Sequence, residues 1–280
     1  MASTLLKVPA VSSVAHGASG AWVTDDIRDL LIRFDPATGR TAGSVHLVGR
    51  PVAMILAGRN LWVANMLKDN VQEIRASDLH VLRTVSVPAG PTDLVAFDGQ
   101  IWVASIVASV VAPVNMRTGV VGSVVAVPDG AVRIAQGFGA LWVTGTADKL
   151  TEIRPTSGAA PSRMEAFTVG NGPIGVATGQ GSVWVANAVG GTVVRIDPAT
   201  RTILHTSHVG GDPLTVAVAG GRVWVGDGRA RKLRTVFPFP GLGPVTLDSS
   251  PRALLAVGDH VWAATANPGR VFSAGAGNAG

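Results

Sequence analysis

Seven tryptophans recur at a nearly constant interval along this chain. The gaps between successive tryptophans are 40, 40, 40, 42, 40 and 38 residues, and the 280 residues include no other tryptophan. A repeat of about 40 residues made of short strands is typical of the four-stranded blades of a β-propeller. We therefore expect residues 1–280 to form one all-β domain, a closed ring of seven blades. The repeats centre on Trp22, Trp62, Trp102, Trp142, Trp184, Trp224 and Trp262.

Each repeat has the pattern of four short antiparallel strands separated by turn residues. A proline precedes the tryptophan by eleven residues in five copies, whereas copies one and four have Val11 and Ala131 there. Further along, strand-like runs end at turns such as Asp197-Pro198. We expect the innermost strand after the proline, the second around the tryptophan, the third before the turn and the outer strand last. The five prolines are Pro51, Pro91, Pro173, Pro213 and Pro251.

The last repeat lacks an outer strand of its own. It reaches its third strand at Val271 and Phe272 and continues into a Gly- and Ala-rich tail. Residues 4–8 near the N-terminus resemble the outer strand of the second repeat, residues 80–85. We therefore predict that the N-terminal strand completes the last blade and closes the ring, which removes two exposed strand edges.

Composition limits the chemistry and the location of the protein. Hydrophobic residues make up 47% of the chain and charged residues 15%, yet no apolar run approaches the roughly 18 residues of a membrane span. The start lacks the pattern of a signal peptide, so we expect a soluble, monomeric cytoplasmic protein without membrane insertion. An excised extracellular sensor domain of a receptor is the alternative. The absence of cysteine excludes disulfides and thiolate chemistry.

Nucleic-acid binding is not expected despite the basic sequence. The net charge is +5, and the pI of about 10.6 reflects the lack of cysteine and tyrosine, which would otherwise titrate below the lysines. Arginines are scattered through the repeats, and no nucleic-acid motif occurs. The histidines share no repeat position, so we expect neither a metal site nor a cofactor. We expect the tryptophans to fill the space between blades and not to form a stacking platform for sugars or bases.

The repeats resemble those of bacterial seven-bladed propellers, the YVTN-repeat and virginiamycin B lyase-like (streptogramin lyase-like) proteins. The resemblance covers nearly the whole chain and is clearest from Pro173 to Thr200, with Trp-Val-Ala-Asn at 184–187 and Val-Arg-Ile-Asp-Pro at 194–198. For activity, the resemblance implies a lyase that opens a cyclic depsipeptide ester by elimination. It also implies a His just after the repeat proline, a Glu just after the tryptophan core, and magnesium.

This chain departs from the family pattern at the positions of that chemistry. The residues after the proline position are Ser12, Val52, Thr92, Val132, Ile174, Leu214 and Arg252, none of which is His. No Glu follows any of the tryptophan cores. An enzyme of this kind would therefore need an Asp as its base and an Arg to stabilise negative charge, and magnesium would be needed only in that case.

One end of the ring is the expected binding site. The segments that enter the innermost strand and those that leave the tryptophan strand lie at the same end of each blade and line the mouth of the central channel. A mouth with both polar and apolar residues suits a small amphipathic molecule or a peptide. The polar candidates are Asp25, Asn65, Asp93, Arg133, Asn187, Asp227 and Arg252, and the apolar ones are Val52, Met66, Ile106, Val132, Ile174 and Leu214.

Three of the candidates depart from the corresponding residues of the other repeats. Asp93 and Arg133 stand where the other copies have Ser, Ala, Gly or Thr, and Arg252 stands where they have Val, Ile, Leu, Thr or Ser. Asp93 and Arg133 lie in adjacent blades, so they either pair with each other or bind a ligand. Asn65, Asn187 and Asp227 have a further alternative role, since Asn and Asp also stabilise turns by bonding their own backbone.

Two local features add hypotheses about the surface. Residues 106–111 of the third repeat are apolar where other copies are more polar, so this hairpin is either an exposed contact or folds back on a neighbouring blade. Arg229, Arg231, Lys232 and Arg234, followed by a Phe-Pro-Phe-Pro-Gly turn at 237–241, either bind an acidic group or form a solvated outer surface.

The sequence therefore predicts a propeller that binds a ligand or a partner at the channel mouth, as a sensor or a scaffold. The alternative is a lyase or cyclase that acts on a cyclic peptide or another secondary metabolite. These classes differ in one physical property, because an enzyme of this type should have an Asp of raised pKa in the mouth.

Overall fold

The computed structural model describes residues 3–127, 129–155, 163–236 and 243–275. These residues form seven four-stranded antiparallel sheets, and the predicted seven-bladed β-propeller is confirmed. The described part of the chain contains no α-helix, and hence none long and apolar enough to cross a membrane. The turn expected at 237–241 lies outside the described residues.

The innermost and second strands carry the repeat proline and the tryptophan, as predicted. Blades are numbered in the order of the seven repeats. From blade 1 to blade 7, the innermost strands are β2 (Ser13–Gly17), β6 (Pro51–Ala57), β10 (Pro91–Phe97), β14 (Arg133–Gly137), β18 (Pro173–Gly179), β22 (Pro213–Ala219) and β26 (Pro251–Val257). The second strands are β3 (Gly20–Asp25), β7 (Asn60–Asn65), β11 (Gln100–Ser105), β15 (Ala140–Thr144), β19 (Ser182–Asn187), β23 (Arg222–Asp227) and β27 (His260–Thr265).

The third and outer strands complete each blade. The third strands are β4 (Leu30–Phe34), β8 (Asn70–Arg75), β12 (Val110–Asn115), β16 (Lys149–Arg154), β20 (Thr192–Ile196), β24 (Lys232–Thr235) and β28 (Gly269–Gly275). The outer strands are β5 (Thr41–His46), β9 (Val81–Ser86), β13 (Val125–Ala126), β17 (Arg163–Thr168), β21 (Ile203–His208), β25 (Val245–Thr246) and, in blade 7, β1 (Ser3–Val8).

The N-terminal strand closes the ring, as predicted. Strand β1 pairs antiparallel with β28, from Ser3 opposite Ser273 to Val8 opposite Gly269. Leu6 of this strand is buried in the cluster that joins blade 7 to blade 1, with Phe34 and Val271. The innermost strands β26 and β2 contact each other across the same junction, so the two ends of the chain are held in one blade.

The tryptophans lie between blades, which confirms their predicted structural role. All seven are buried, and Trp22 packs in one cluster with Met54 and Val63 of the next blade. In blades 4, 5 and 6 the indole N–H donates to a backbone carbonyl five residues earlier, as from Trp184 to Gly179 at 3.0 Å. A buried aromatic ring with its N–H satisfied contributes a large apolar area without an unpaired donor.

A β-bulge follows the proline in all five blades that have one. In blade 2, Pro51 pairs with Asn65 and Ala53 pairs with Ala64, so Val52 has no partner in the ladder. The same shift occurs in β10, β18, β22 and β26. A bulge bends the strand and changes the direction of a side chain, and here it lies at the end of the blade that forms the channel mouth.

We predict that Leu6→Ala destabilises the protein far more than Lys7→Ala, because Leu6 is 3% exposed and Lys7 is solvent-exposed. Truncation of a buried leucine should lower the free energy of unfolding by about 2–5 kcal/mol, whereas the surface variant should stay within about 0.5 kcal/mol of the parent. Urea unfolding followed by tryptophan fluorescence measures both. Equal stability of the two variants would contradict closure of the ring by β1.

Candidate functional site

The innermost strands surround a cavity of about 230 Å³ on the axis of the ring. All seven blades contribute to its lining, and we call it the axial cavity. Asp93, Arg133 and Arg252 line it, and they are the charged residues of the lining. The structure therefore brings together the three candidates that depart from the other repeats. Val52 and Leu214 of the expected apolar collar line it as well.

Small side chains at one repeat position leave room for the axial cavity. This position is the second residue after the proline position, occupied by Asp93 in blade 3 and Arg133 in blade 4. In the other blades it holds Ser13, Ala53, Gly175, Thr215 and Ala253. At Gly175 a Cβ atom would lie 2.9 Å from the Leu214 carbonyl oxygen, so glycine permits the close approach of blade 6. The two charged residues thus extend into space that their counterparts leave free.

The carboxylate of Asp93 connects two blades and has a perturbed pKa. Its Oδ1 accepts the N–H of Leu94 at 3.0 Å, and its Oδ2 accepts the N–H of Ile134 in the next blade at 3.0 Å. Burial raises the pKa of Asp93, against the opposing effects of the Arg133 charge and these two hydrogen bonds. A raised pKa in the mouth is the property expected of a catalytic acid or base.

Blade 1 makes the same connection without a charge. The hydroxyl of Ser13, at the repeat position of Asp93, accepts the N–H of Met54 in blade 2 at 3.1 Å. A neutral side chain is therefore enough to join neighbouring innermost strands at this position.

The two arginines of the axial cavity differ in their contacts. Arg133 Nη1 donates to the Thr92 carbonyl oxygen at 3.1 Å. Among the described residues, no ion pair within 4.0 Å joins Arg133 to Asp93, so the direct pairing considered above is not observed, although the charge of Arg133 acts to lower the pKa of Asp93. Arg252 occupies a bulge and is exposed, and its side chain has no hydrogen bond or ion pair within the described part of the chain.

Asp25 and Asn65 are fully buried and lie outside the lining of the axial cavity. Asp25 Oδ1 accepts the N–H groups of Ile27 and Arg28 at 3.1 and 2.9 Å, and its Oδ2 pairs with the Arg28 guanidinium at 2.7 Å. Asn65 Nδ2 donates to Asn70 and Gln72 at 2.8 and 3.0 Å. Both side chains therefore hold the hairpin between the second and third strands.

Asn187 and Asp227 have equivalent contacts in blades 5 and 6. Asn187 Nδ2 donates to the Val169 carbonyl at 3.0 Å, so it ties the hairpin to the incoming loop. Asp227 Oδ1 accepts the N–H of Ala230 at 2.8 Å, and its Oδ2 lies 3.5 Å from Arg234. Both residues are fully buried and do not line the axial cavity.

The remaining apolar candidates lie further from the axis. Met66 and Ile106 are partly buried at the start of their hairpins, where their N–H groups donate to the carbonyls of Arg50 and Gly90. Neither lines the axial cavity, nor do Val132 and Ile174. They belong to the same end of the ring but not to the cavity itself.

The sequence analysis did not identify the third residue after the proline position as part of the site. Met54, Ile134, Val216 and Leu254 follow the small repeat position and form much of the apolar lining. Alternation of side chains along the strand could have indicated them, but the bulge shifts that alternation by one residue.

The axial cavity does not fit the magnesium ion that the family resemblance implies. Asp93 is its one acidic residue, and both of its oxygens accept backbone N–H groups. Magnesium is usually held by one or two carboxylates with water or phosphate ligands. In the described ranges, no three His, Cys, Asp or Glu residues are grouped so that they could hold a metal ion.

Comparison with solved structures shows that the fold is shared with virginiamycin B lyase and streptogramin B lyase. Virginiamycin B lyase from Staphylococcus aureus superimposes with a TM-score of 0.84 at 15% identity, covering 98% of this chain and 97% of that chain. A catalytically inactive variant of that lyase, with quinupristin, gives 0.85 at 14% identity over 98% of both chains. At these identities the likeness establishes the fold, and the resemblance in the repeats is confirmed at that level.

Propellers with other roles are similar as well. BamB from Moraxella catarrhalis gives a TM-score of 0.69 at 14% identity, covering 96% of this chain and 84% of that chain. Neither the family models nor the curated proteins to which the sequence was compared give a match. The fold therefore hosts both lyases and other classes of protein, and function has to be argued from the site.

We predict that Asp25→Ala lowers the free energy of unfolding by about 1–3 kcal/mol, because two backbone N–H groups lose their acceptor. The exposed Asp259, on a turn at the opposite end of the ring, provides the control, and Asp259→Ala should change stability by less than about 0.5 kcal/mol. Urea titration of both variants measures the difference. An Asp25→Ala variant as stable as the control would show that the hairpin does not need this carboxylate.

The raised pKa of Asp93 predicts a specific pH dependence of stability. Unfolded aspartate titrates near 3.8 and folded Asp93 above it, so the folded protein binds the proton more tightly. The resulting stabilisation is present below pH 3.8 and is lost as the pH rises through the folded pKa. Relative to Asp93→Asn, the parent should therefore lose stability with rising pH over this window. A stability difference that is constant with pH in urea titrations would rule out the perturbed carboxyl group.

Proposed function

We propose that the protein is a binding module whose axial cavity takes a ligand with an anionic group and an apolar body. The observation that carries the proposal is the charge of the lining, where the guanidinium groups of Arg133 and Arg252 are opposed by the single carboxyl group of Asp93. Arg252 is the better anchor, since no protein group competes for it among the described residues.

The apolar part of the lining supports the same class of ligand. Val52, Leu214 and Leu254 flank the charged groups within the axial cavity. A small number of polar groups in an otherwise apolar concavity is the usual composition of a small-molecule site. A charge-assisted hydrogen bond from a guanidinium group to a carboxylate would fix the orientation of the ligand, and burial of its apolar body would supply affinity.

The test is a thermal-shift comparison of amphipathic carboxylates, from benzoate to decanoate, with their amides. We expect the carboxylates to raise the melting temperature by mass action and the amides to have little effect. Arg252→Gln should abolish the difference and Arg133→Gln should reduce it. Arg40→Gln, at an exposed arginine on the connection between the third and outer strands of blade 1, should behave as the parent does. Equal shifts for carboxylates and amides would contradict the proposal.

A second candidate is a lyase, and the raised pKa of Asp93 beside a guanidinium group favours it. In such a reaction the Asp93 carboxylate would take a proton from a carbon next to a carbonyl. The resulting electron pair would form a double bond as the C–O bond of the ester breaks, and the ester oxygen would leave as a carboxylate. Arg133 or Arg252 would stabilise the negative charge that develops.

Recovery of a bound compound distinguishes the binding module from the lyase. Mass spectrometry of a stabilising cyclic depsipeptide or other ester after incubation should return it unchanged if the protein only binds. For a lyase, the compound should be recovered as the ring-opened elimination product, and Asp93→Asn should prevent its formation while binding remains.

A further inference from the structure

Four hairpins carry an exposed apolar residue at the same repeat position, five residues after the tryptophan. Ile27, Leu67, Val107 and Val189 occupy it in blades 1, 2, 3 and 5, and each is between 67% and 73% exposed. In the hairpin of residues 106–111, Val107 is thus exposed, whereas Val111 is fully buried. Exposed single hydrophobic residues are common, but recurrence at one position of a ring makes a patterned surface. We call the residues in blades 1–3, which are consecutive, the apolar rim.

The apolar rim is held in place by the backbone. The N–H of Leu67 donates to the Gly49 carbonyl at 2.8 Å, and that of Ala108 donates to the Ala89 carbonyl at 3.1 Å. Val107 lies against Gly90, whose φ is 69° and where a Cβ atom would be 2.5 Å from a valine methyl carbon. A side chain at Gly90 would therefore displace Val107. These contacts hold the backbone of the hairpins in blades 2 and 3.

The apolar rim lies at the end of the ring where the innermost strands begin. The hairpins that carry it follow the second strands, whose last residues pair with the beginning of the innermost strands, as Asn65 does with Pro51. Blade 7, which contributes Arg252, is next to blade 1 in the ring. Blades 7, 1, 2 and 3 are consecutive in the ring. They therefore carry, in order, the unpaired guanidinium group of Arg252 and the three apolar side chains of the rim.

The size of the axial cavity indicates that a ligand extends beyond it. Its volume of about 230 Å³ is below the roughly 300–1,000 Å³ typical of pockets for whole drug-sized ligands. One small group fits inside, and the rest of a larger ligand would lie on the surface around the entrance. On the side of blades 1–3, that surface is the apolar rim.

Arg252 differs from the other charged residues near the entrance, which have partners within the protein. The Asp25 carboxylate lies 2.7 Å from the Arg28 guanidinium group. The Asp26 carboxylate lies 3.6 Å from that of Arg50. In blade 6, Asp212 pairs with Arg229 at 3.3 Å. On the hairpins of blades 1 and 2, Asp29 and Asp69 each accept a backbone N–H, from Arg50 and Gly90, at 2.8 Å. Arg252, in contrast, has no hydrogen bond or ion pair within the described part of the chain.

From these observations we infer that the ligand is an acidic peptide segment. A Glu or Asp side chain, or a terminal carboxylate, enters the axial cavity and binds Arg252, and neighbouring apolar side chains lie on Ile27, Leu67 and Val107. The inference rests on the proposed function, since it uses the same cavity, and adds a class of ligand and a second contact surface.

The test uses two pools of fluorescent, end-capped hexapeptides. One pool has a fixed central Glu among randomised Leu, Val, Ile and Phe, and the other has Gln in its place. By fluorescence polarisation we expect the Glu pool to bind about tenfold more tightly than the Gln pool, because the charge-assisted hydrogen bond is lost with Gln. Arg252→Gln should remove that difference. Leu67→Ser and Val107→Ser should weaken both pools equally, by about three- to tenfold, since they remove apolar contacts.

Matched controls come from the outer strand of blade 5. Ile203 and Leu204 are exposed hydrophobic residues remote from the entrance, and Ile203→Ser and Leu204→Ser should leave the affinity of both pools unchanged. Equal binding of the two pools, binding by neither, or equal effects of rim and control variants overturns the inference.

The outcomes also separate this inference from the proposed function. If amphipathic carboxylates stabilise the protein through Arg252 but the two pools do not differ, the proposed function stands and the peptide inference fails. If neither carboxylates nor pools bind, both fail. If Leu67→Ser and Val107→Ser weaken binding only to phosphatidylglycerol vesicles, the apolar rim contacts a lipid surface and the peptide inference is overturned.

Discussion

The packing of one indole ring between each pair of neighbouring blades is the contact on which the whole structure depends. A four-stranded blade exposes two apolar faces, and each needs a neighbour to cover it. Seven blades related by the same tryptophan contact leave no open face once the N-terminal strand has joined the last blade. The ring brings its innermost strands together around an axis, so any repeat position near the start of those strands becomes a ring of seven side chains.

That convergence explains how a weakly charged repeat protein concentrates charge at one place. Small residues at one position leave the axial cavity open, and the exceptions in blades 3 and 4 put charges into it. Ser13 shows that the blade-to-blade hydrogen bond at this position does not need a carboxylate. The charge of Asp93 is therefore not needed for that hydrogen bond. The positive charge of Arg252 has no ion-pair partner in the described part of the protein.

The fold could be predicted almost completely from the sequence, because periodicity of this strength has few structural solutions. The same periodicity identified Asp93, Arg133 and Arg252, since each differs from its counterparts in the other repeats. Asn65 and Asp227 could not be assigned in this way, because these residue types serve equally well in turns and in ligand sites. Their burial and hydrogen bonds become visible only in three dimensions. The exposure of Leu67 and Val107 was also beyond prediction, since it depends on how each hairpin lies on the adjacent loop.

The central claim is that the repeats build the ring and the departures from the repeats build the site. The most direct measurement is calorimetric unfolding of a triple variant, Asp93→Ser, Arg133→Ala and Arg252→Val, with and without an amphipathic carboxylate that stabilises the parent. These substitutions restore residues found in the other repeats. We expect one cooperative transition within a few degrees of the parent and no shift on addition of the carboxylate. A variant that still responds to the carboxylate, or one that no longer unfolds cooperatively, would contradict the claim.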